Sequence, residues 1–466
     1  MSLQNGGFGG GKGKLLTQSR TMPMRMPKSL PFTPADVLQV GMRARRPVIR
    51  GVVNLAERFG FWKRPRARGA TATEEMGALD HLNWIYKSRN PLEEYEQAFG
   101  DMRITPGTPK QIELPGGFDM MTRLRIGAAG DILRSPGIEA SQDRIYERIE
   151  DLLFSRDIAY ANFESPVTDQ PLVEEVIGDA GPPLECCSRA QFEVLSGHKG
   201  RRFDVLNTAN NHAFDMGVEG VETTREVMAA AGILAVGTNA TPDEHGRARF
   251  IEARGIKVGL VSDGFGLNGH EVPEAERWRI NVSKLLSKRA PPDLGLLKRQ
   301  IDHCRAEGCD FILASIHWGH EFEFFPRKVQ VDTARDLVEY GADSILCHHP
   351  HVVQPWEVYR TKRDPNRQAV IAYSLGSLTW GFMAPHIVLS AIMNMRLEKG
   401  RIGGETKTYV AAARVTPVVR TYRRERGEMV TRIEKLSELE PGRGMREGYL
   451  ERIRAHAALV FGEDQL

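Results

Sequence analysis

Phe311-Ile312-Leu313-Ala314-Ser315-Ile316-His317-Trp318-Gly319-His320-Glu321 and, further along, Ser344-Ile345-Leu346-Cys347-His348-His349-Pro350-His351 have one design: a short apolar run that stops on histidine. A short apolar run bounded by polar residues predicts a buried strand, so each histidine group sits where a strand ends. Five of the thirteen histidines fall in these two stretches. Imidazoles packed that tightly repel one another once protonated, and a cation that binds their neutral form removes the conflict. The alternative is a surface histidine cluster or hydrogen-bonded core histidines.

The same design recurs upstream. Residues 124–129 read as a strand followed by Asp131, residues 158–163 as one followed by Glu164, and residues 205–209 as one followed by Asn211 and His212. Helical patterns at 144–155, 217–231, 294–306 and 330–340 separate the strands, and the helix at 217–231 is expected to stop at Gly232. Further strands are predicted at 233–236, 257–262, 370–374 and 388–395. Strands alternating with helices imply an α/β layered domain over about 122–420. In such folds ligands gather outside the carboxyl ends of the strands. Asp131, Glu164, Asn211, His317, His348, His349 and His351 would therefore meet at one edge. That nitrogen and oxygen donor set suits one or two divalent ions of manganese, zinc or iron. Singly, Asp131 or Glu164 is explained as a turn former or helix cap, and Asn210-Asn211 as a turn. Their joint placement after five strand ends is not.

At 466 residues the chain is long enough for a large core. No apolar run approaches a membrane span, and no apolar segment follows the basic N-terminus as in a secretory signal. The five cysteines lack CxxC spacing, which fits reduced thiols and a cytoplasmic location, peripheral at the inner membrane surface if the arm docks there. Cys304, Cys309 and Cys347 are expected to be packing residues, and so is Trp318. The net charge of +3 conceals an asymmetry: residues 1–70 hold 14 Lys/Arg against Asp36 and Glu57. Four regions follow. Residues 1–70 are a basic arm, its Gly-rich start expected to be disordered. Residues 71–121 are a helical lead-in and loop, with helical spacing at 74–87 and 92–99. Residues 122–420 are the α/β domain, and 421–466 a charged tail with a terminal helix at 447–461. The stretch 35–62 mixes Val52, Val53, Leu55, Phe59 and Phe61 with Arg43, Arg45, Arg46, Arg50 and Arg58, broken at Pro47. It suits an anionic membrane surface or another polyanion, or packs on the body with arginines outward.

The motifs Gly130-Asp131, Asn162-Phe163-Glu164-Ser165-Pro166, Ala209-Asn210-Asn211-His212-Ala213-Phe214-Asp215-Met216-Gly217, His317-Trp318-Gly319-His320-Glu321, His348-His349-Pro350-His351 and Tyr373-Ser374-Leu375-Gly376-Ser377, in that order, resemble the CapA family of bacterial capsule and poly-γ-glutamate synthesis proteins, within the calcineurin-like metallophosphoesterase superfamily. The resemblance spans about 122–395. It implies a four-layer α/β sandwich with a metal centre at one sheet edge. Asp131 would bind the first ion, Glu164 would bridge, Asn211 and His317 would bind the second, and His349 and His351 would supply one ligand each. A hydroxide between the ions would be the nucleophile, and His212 the general acid. Asp215 and Gly217 would shape the turn before the next helix. His320 or Glu321 would orient His317, and residues 264–270 would form a lid or substrate loop.

Two residues depart from the superfamily pattern. Leu133 stands where many members carry the histidine of an Asp-x-His pair, so His348 would have to substitute. Cys347 stands where a glycine commonly precedes the histidines. The leading expectation is a metal-dependent hydrolase of a phosphoester or similar anionic substrate, small molecule or polymer. The alternative is a non-catalytic accessory protein that binds an anionic polymer or membrane machinery in capsule or poly-γ-glutamate assembly. Nucleic-acid processing rests only on the basic arm and the superfamily, and ranks last.

Overall fold

A computed structural model describes residues 30–36, 46–100, 104, 111–135, 137–172, 184–442 and 445–463. The Gly-rich start of the arm lies outside these residues. Two mixed sheets form the body. In the first, eight-stranded sheet the order across is Glu428–Lys435, Glu405–Glu425, Leu389–Ile402, Asp119–Ile132, Ile158–Phe163, Val205–Asn207 and Leu234–Val236, with Ser377–Thr379 pairing the end of Asp119–Ile132. In the second, six-stranded sheet it is Trp356–Arg360, Gln368–Ala372, Ser344–His348, Phe311–His317, Ile256–Gly264 and Arg249–Ala253. The strands that carry the site pair in parallel in both sheets. Parallel strands are covered on both faces, which is why they read as unbroken apolar runs.

Alternation along each strand shows how the sheets stack. Leu124, Ile126 and Ala128, Ile158 and Tyr160, Val258 and Leu260, Phe311 and Leu313, and Val370 and Ala372 share one core between the sheets. The intervening Ala129, Ala159 and Ala161 face the other way and pack with Phe192, Leu195, Val227 and Met228. On the second sheet Ile312, Ala314, Ile345 and Ala369 pack with Leu297, Ile301, Ala334 and Leu337 of the helices Gly295–Ala306 and Lys328–Tyr340. Side chains alternate faces every residue in a strand, so the result is the expected four-layer α/β sandwich. Trp318, Cys304 and Cys347 are core residues.

Several local readings change. Residues 144–155 bury Ile145, Tyr146, Ile149 and Leu153 as an amphipathic helix would, yet they form successive turns. The Ile145 carbonyl, which a helix would give to the Ile149 N–H, accepts from the Ile433 N–H instead, and Ile149 donates to Tyr146. Of residues 92–99 only Gln97–Phe99 is helical, a single 3-10 turn, because Leu92 exchanges backbone bonds with the 322–324 segment. Position 421 falls inside the strand Glu405–Glu425, and the helix Glu447–Phe461 sends Leu450, Ile453, Ala457 and Val460 into the inter-sheet core. The strands through Lys435 and the terminal helix Glu447–Phe461 are thus built into the sandwich. In the arm, a helix runs Arg46–Phe59; Pro47 begins it rather than breaking it, since proline is tolerated in a first turn. No described helix is long and apolar enough to cross a membrane.

Candidate metal centre

The donors converge between the carboxyl ends of the two sheets. Asp131 ends the long strand Asp119–Ile132, where its N–H donates to the Gly376 carbonyl. A Cβ at Gly130 would collide with that carbonyl, so the close approach requires glycine there. Asp131 Oδ1 accepts from Asn162 Nδ2 at 2.9 Å and lies 3.2 Å from His348 Nδ1. Its Oδ2 lies 3.5 Å from His351 Nδ1. Burial alone would raise the Asp131 pKa, but the facing His348 and His351 hold it well below the usual carboxylate range. Glu164 is also fully buried. Burial and the neighbouring Asp131 push its carboxyl up to about 8, and its Oε1 has no hydrogen-bond partner.

Around that oxygen stand three imidazoles. His317 Nε2 is 3.3 Å from Glu164 Oε1 and 2.6 Å from Asn211 Oδ1. His351 Nε2 is 3.8 Å from Glu164 Oε1 and 3.8 Å from Glu321 Oε1. His349 sits edge-on to the His317 ring with centroids 5.1 Å apart, and lies against Phe265. Burial pushes His317 down to about 3, and burial with His317 and His351 nearby holds His349 well below 6.5. Both are neutral and keep a lone pair. His349 and His351 have φ of 100° and 56°, a left-handed backbone that costs non-glycine residues on the order of 1–3 kcal/mol each. Such strain persists only where the surroundings enforce it.

Three donor sets each lie within 4.8 Å: Glu164–His317–His349, Asp131–Glu164–His351 and Glu321–His349–His351. The chemistry fits a divalent ion: neutral nitrogens on His317 and His349, carboxyl oxygens, and three buried atoms, Glu164 Oε1, His348 Nδ1 and His349 Nδ1, with no hydrogen bond. Burial works against a charge on His351, but Glu164 and Asp131 beside it hold its pKa above the ordinary value. His351 Nδ1 is 2.9 Å from Ser377 Oγ, which fixes its ring.

His212 lies beside this group. Its Nδ1 is 2.6 Å from Asp215 Oδ2, and His270 Nε2 is 3.3 Å from Asp215 Oδ1. Burial favours the neutral ring, but Asp215, Glu164 and Glu185 outweigh it and push His212 up to about 10. Asp215 is thus more than a turn former: it holds two imidazoles. The 264–270 loop reaches the site through Asn268, whose Oδ1 accepts from Asn211 Nδ2 at 3.0 Å.

Two expected roles change. His348 belongs to none of the three donor sets, although its buried Nδ1 lies 3.2 Å from Asp131 Oδ1. It shares the inward face of its strand with Leu346, lies 3.1 Å from the Tyr160 hydroxyl, and backs Asp131. Neither His320 nor Glu321 orients His317. Glu321 accepts from Trp84 Nε1 and joins His349 and His351 as a donor. His320 turns away toward Arg327, Glu323 and Lys87, where burial drives its pKa well below 6.5. Leu133 is buried between the sheets. The sequence reading missed Asn162 and Asn207, which link Ser262 to Asp131 through Asn207–Asn162 at 2.8 Å. Their signal is an asparagine inside an otherwise apolar strand. It also missed Thr71, whose Oγ1 is 3.4 Å from His349 Nε2; nothing in the sequence of the lead-in marks it.

Fold and site together define a two-sheet α/β protein with a carboxylate–histidine centre at the strand ends. The profile of the bacterial capsule synthesis protein PGA_cap family matches residues 100–380, and the chain belongs to that family. It is 28% identical over 294 residues to the PGA biosynthesis protein CapA of Bacillus subtilis (strain 168), covering 62% of this chain and 71% of that one. It is 26% identical over 269 residues to the capsule biosynthesis protein CapA of Bacillus anthracis, covering 55% and 60%. Among solved structures, the calcineurin-like phosphoesterase YfkN from Bacillus subtilis aligns at 13% identity and a TM-score of 0.32, over 72% of this chain and 96% of that one.

Proposed function

We propose that this protein is a metal-dependent hydrolase of the metallophosphoesterase type, acting on an anionic substrate in capsule or poly-γ-glutamate synthesis. The observation that carries the reading is His212, held 2.6 Å from Asp215, beside the donor set of Glu164, His317 and His349, whose atoms lie within 4.8 Å of one another. Against burial, Asp215 and Glu164 raise the His212 pKa, while burial lowers those of His317 and His349. Pairs of titratable groups driven apart by their surroundings mark acid–base assignments. Asp131, Glu164, Asn211, His317, His349, His351 and Glu321 would hold one or two divalent ions, which supply Lewis acidity toward the ester and acidify water. His212 gives the Nε2 proton to the leaving oxygen, while Asp215 at Nδ1 fixes the ring and stabilises its charged form. Asn268 and Asn211 present amides beside the same ring and orient the substrate. The family and the names of the two CapA relatives support the link to capsule and poly-γ-glutamate synthesis.

The test is metal analysis of purified protein together with a chromogenic phosphodiester assay across manganese, zinc and iron. Stoichiometric metal with turnover supports the hydrolase. Stoichiometric metal with no turnover on any phosphoester supports the accessory-protein reading instead. Leu133, which places an apolar side chain near Asp131 where an imidazole would add a ligand, favours that second reading.

A further inference from the structure

We propose that the helix Arg46–Phe59 and the turn after it form a docking surface for an anionic lipid bilayer. The helix is fastened to the body along one edge. Val53 and Ala56 are buried against Ile85, Tyr86 and Leu92, and Trp62 packs edge-on against Tyr86. The adjoining edge points outward and is also apolar. Val52, Leu55 and Phe59 recur at helical spacing with 40%, 53% and 62% of their surfaces exposed, and Phe61 is 67% exposed. The Phe59 and Phe61 rings lie 5.8 Å apart. At 3.6 residues per turn, Val52, Leu55 and Phe59 fall within roughly 60° of one another, so they make a stripe and not a scatter.

The charges beside the stripe select the partner. Arg58 and Lys63 have no ion-pair partner among the described residues, and Arg64 pairs only with the half-exposed Glu94. An exposed apolar stripe rimmed by the exposed cations Arg58, Lys63 and Arg64 fits an interface with apolar depth and negative headgroups. A second copy of this chain would have to bury those cations against themselves. The helix packs on Ala78–Arg89, which also carries Trp84 to Glu321. Docking there ties the bilayer to the element that supports the candidate metal centre. The surface is independent of the chemistry at that centre.

The test is flotation of the full chain with vesicles of phosphatidylcholine alone and of phosphatidylcholine with about one-third phosphatidylglycerol. The wild type should float with the anionic vesicles and not the neutral ones, and raised salt should release it, because screening shortens the reach of surface charge. Leu55→Glu with Phe59→Glu should weaken binding by about tenfold or more. Both positions are exposed, so the thermal melt should be unchanged. Arg58→Gln with Lys63→Gln should reduce the salt dependence. Equal recovery with neutral and anionic vesicles, or unaltered binding by the Glu variant, overturns the proposal. So does a wild-type dimer in sedimentation that the Glu variant converts to monomer, since a second copy would then be the occupant.

Discussion

His212 Nδ1 lies 2.6 Å from Asp215 Oδ2, both side chains deep in the protein. The contact commits the Nδ1 proton to Asp215 and leaves Nε2 as the nitrogen that can face a substrate. It also sets the charge of the ring. Burial works against protonation, and Asp215 with Glu164 and Glu185 overcomes it, so His212 remains protonated up to about pH 10.

Asp215→Asn tests that relationship. The raised pKa means that the charged pair contributes stability in full below the ordinary histidine value of 6.5, and that this contribution is lost as pH rises through about 10. Removing the carboxylate lowers the His212 pKa. The alkaline limb of the pH–rate profile should move to lower pH, and turnover at neutral pH should fall roughly 10–100-fold with metal content unchanged. An alkaline limb that stays in place would remove His212 from the role of acid.

Paired alanine substitutions separate ligand from acid. His212→Ala should keep metal and lose roughly 10²–10⁴-fold in turnover. His349→Ala removes a nitrogen shared by two of the donor sets, so metal and activity should disappear together. Elemental analysis of both proteins decides the matter, and equal metal loss would make His212 a ligand.

Much of the site could be read from strand ends because burial leaves few reasons for Asp131, Glu164 and His317 to terminate apolar runs. What the sequence could not show is which sheet each strand joins. Asp131 and Glu164 come from the first sheet, His317, His349 and His351 from the second, and the centre forms between two edges instead of along one. Glu321 illustrates the same limit. It directly follows His320 in sequence, yet it faces His351 while His320 faces Arg327, a choice made by the Trp84 indole from a distant helix. The helix expected at 144–155 was lost to a backbone bond from Ile433. Long-range contacts of this kind leave no local periodicity to detect.

The last part of the basic arm packs on the body. Ile85 and Tyr86 are covered by Val53, Ala56 and Trp62, and Arg66 is 2.7 Å from Asp80. Asp80 also accepts from the Ala70 and Gly77 N–H groups and from Lys288. Removing residues 1–70 uncovers that cluster and leaves Asp80 short of two partners. It should destabilise the protein by about 2–5 kcal/mol, read as a lower denaturant midpoint. An unchanged midpoint would show that the helix rests on the body without stabilising it.

Acid should unfold this protein through its buried neutral histidines, and His386 isolates one of them. Its ring is 2% exposed, with Nε2 3.1 Å from the Ser88 carbonyl, so Nε2–H donates there. Burial, with His456 close by, pushes its pKa from 6.5 down to about 3. Below 6.5 the unfolded chain therefore takes up a proton that the folded chain refuses, and stability falls as pH drops from 6.5 towards 3. One such group contributes a slope of about 1.4 kcal/mol per pH unit. His386→Gln keeps an amide donor for Ser88 and removes the titration. Between about pH 6 and pH 4 its unfolding free energy should fall less steeply than that of the wild type, by close to one proton's worth. The residual slope belongs to His317, His349 and other buried rings that remain. Identical slopes in the two proteins would mean that His386 takes up its proton without unfolding, through a local opening of the short Pro385–Val388 helix.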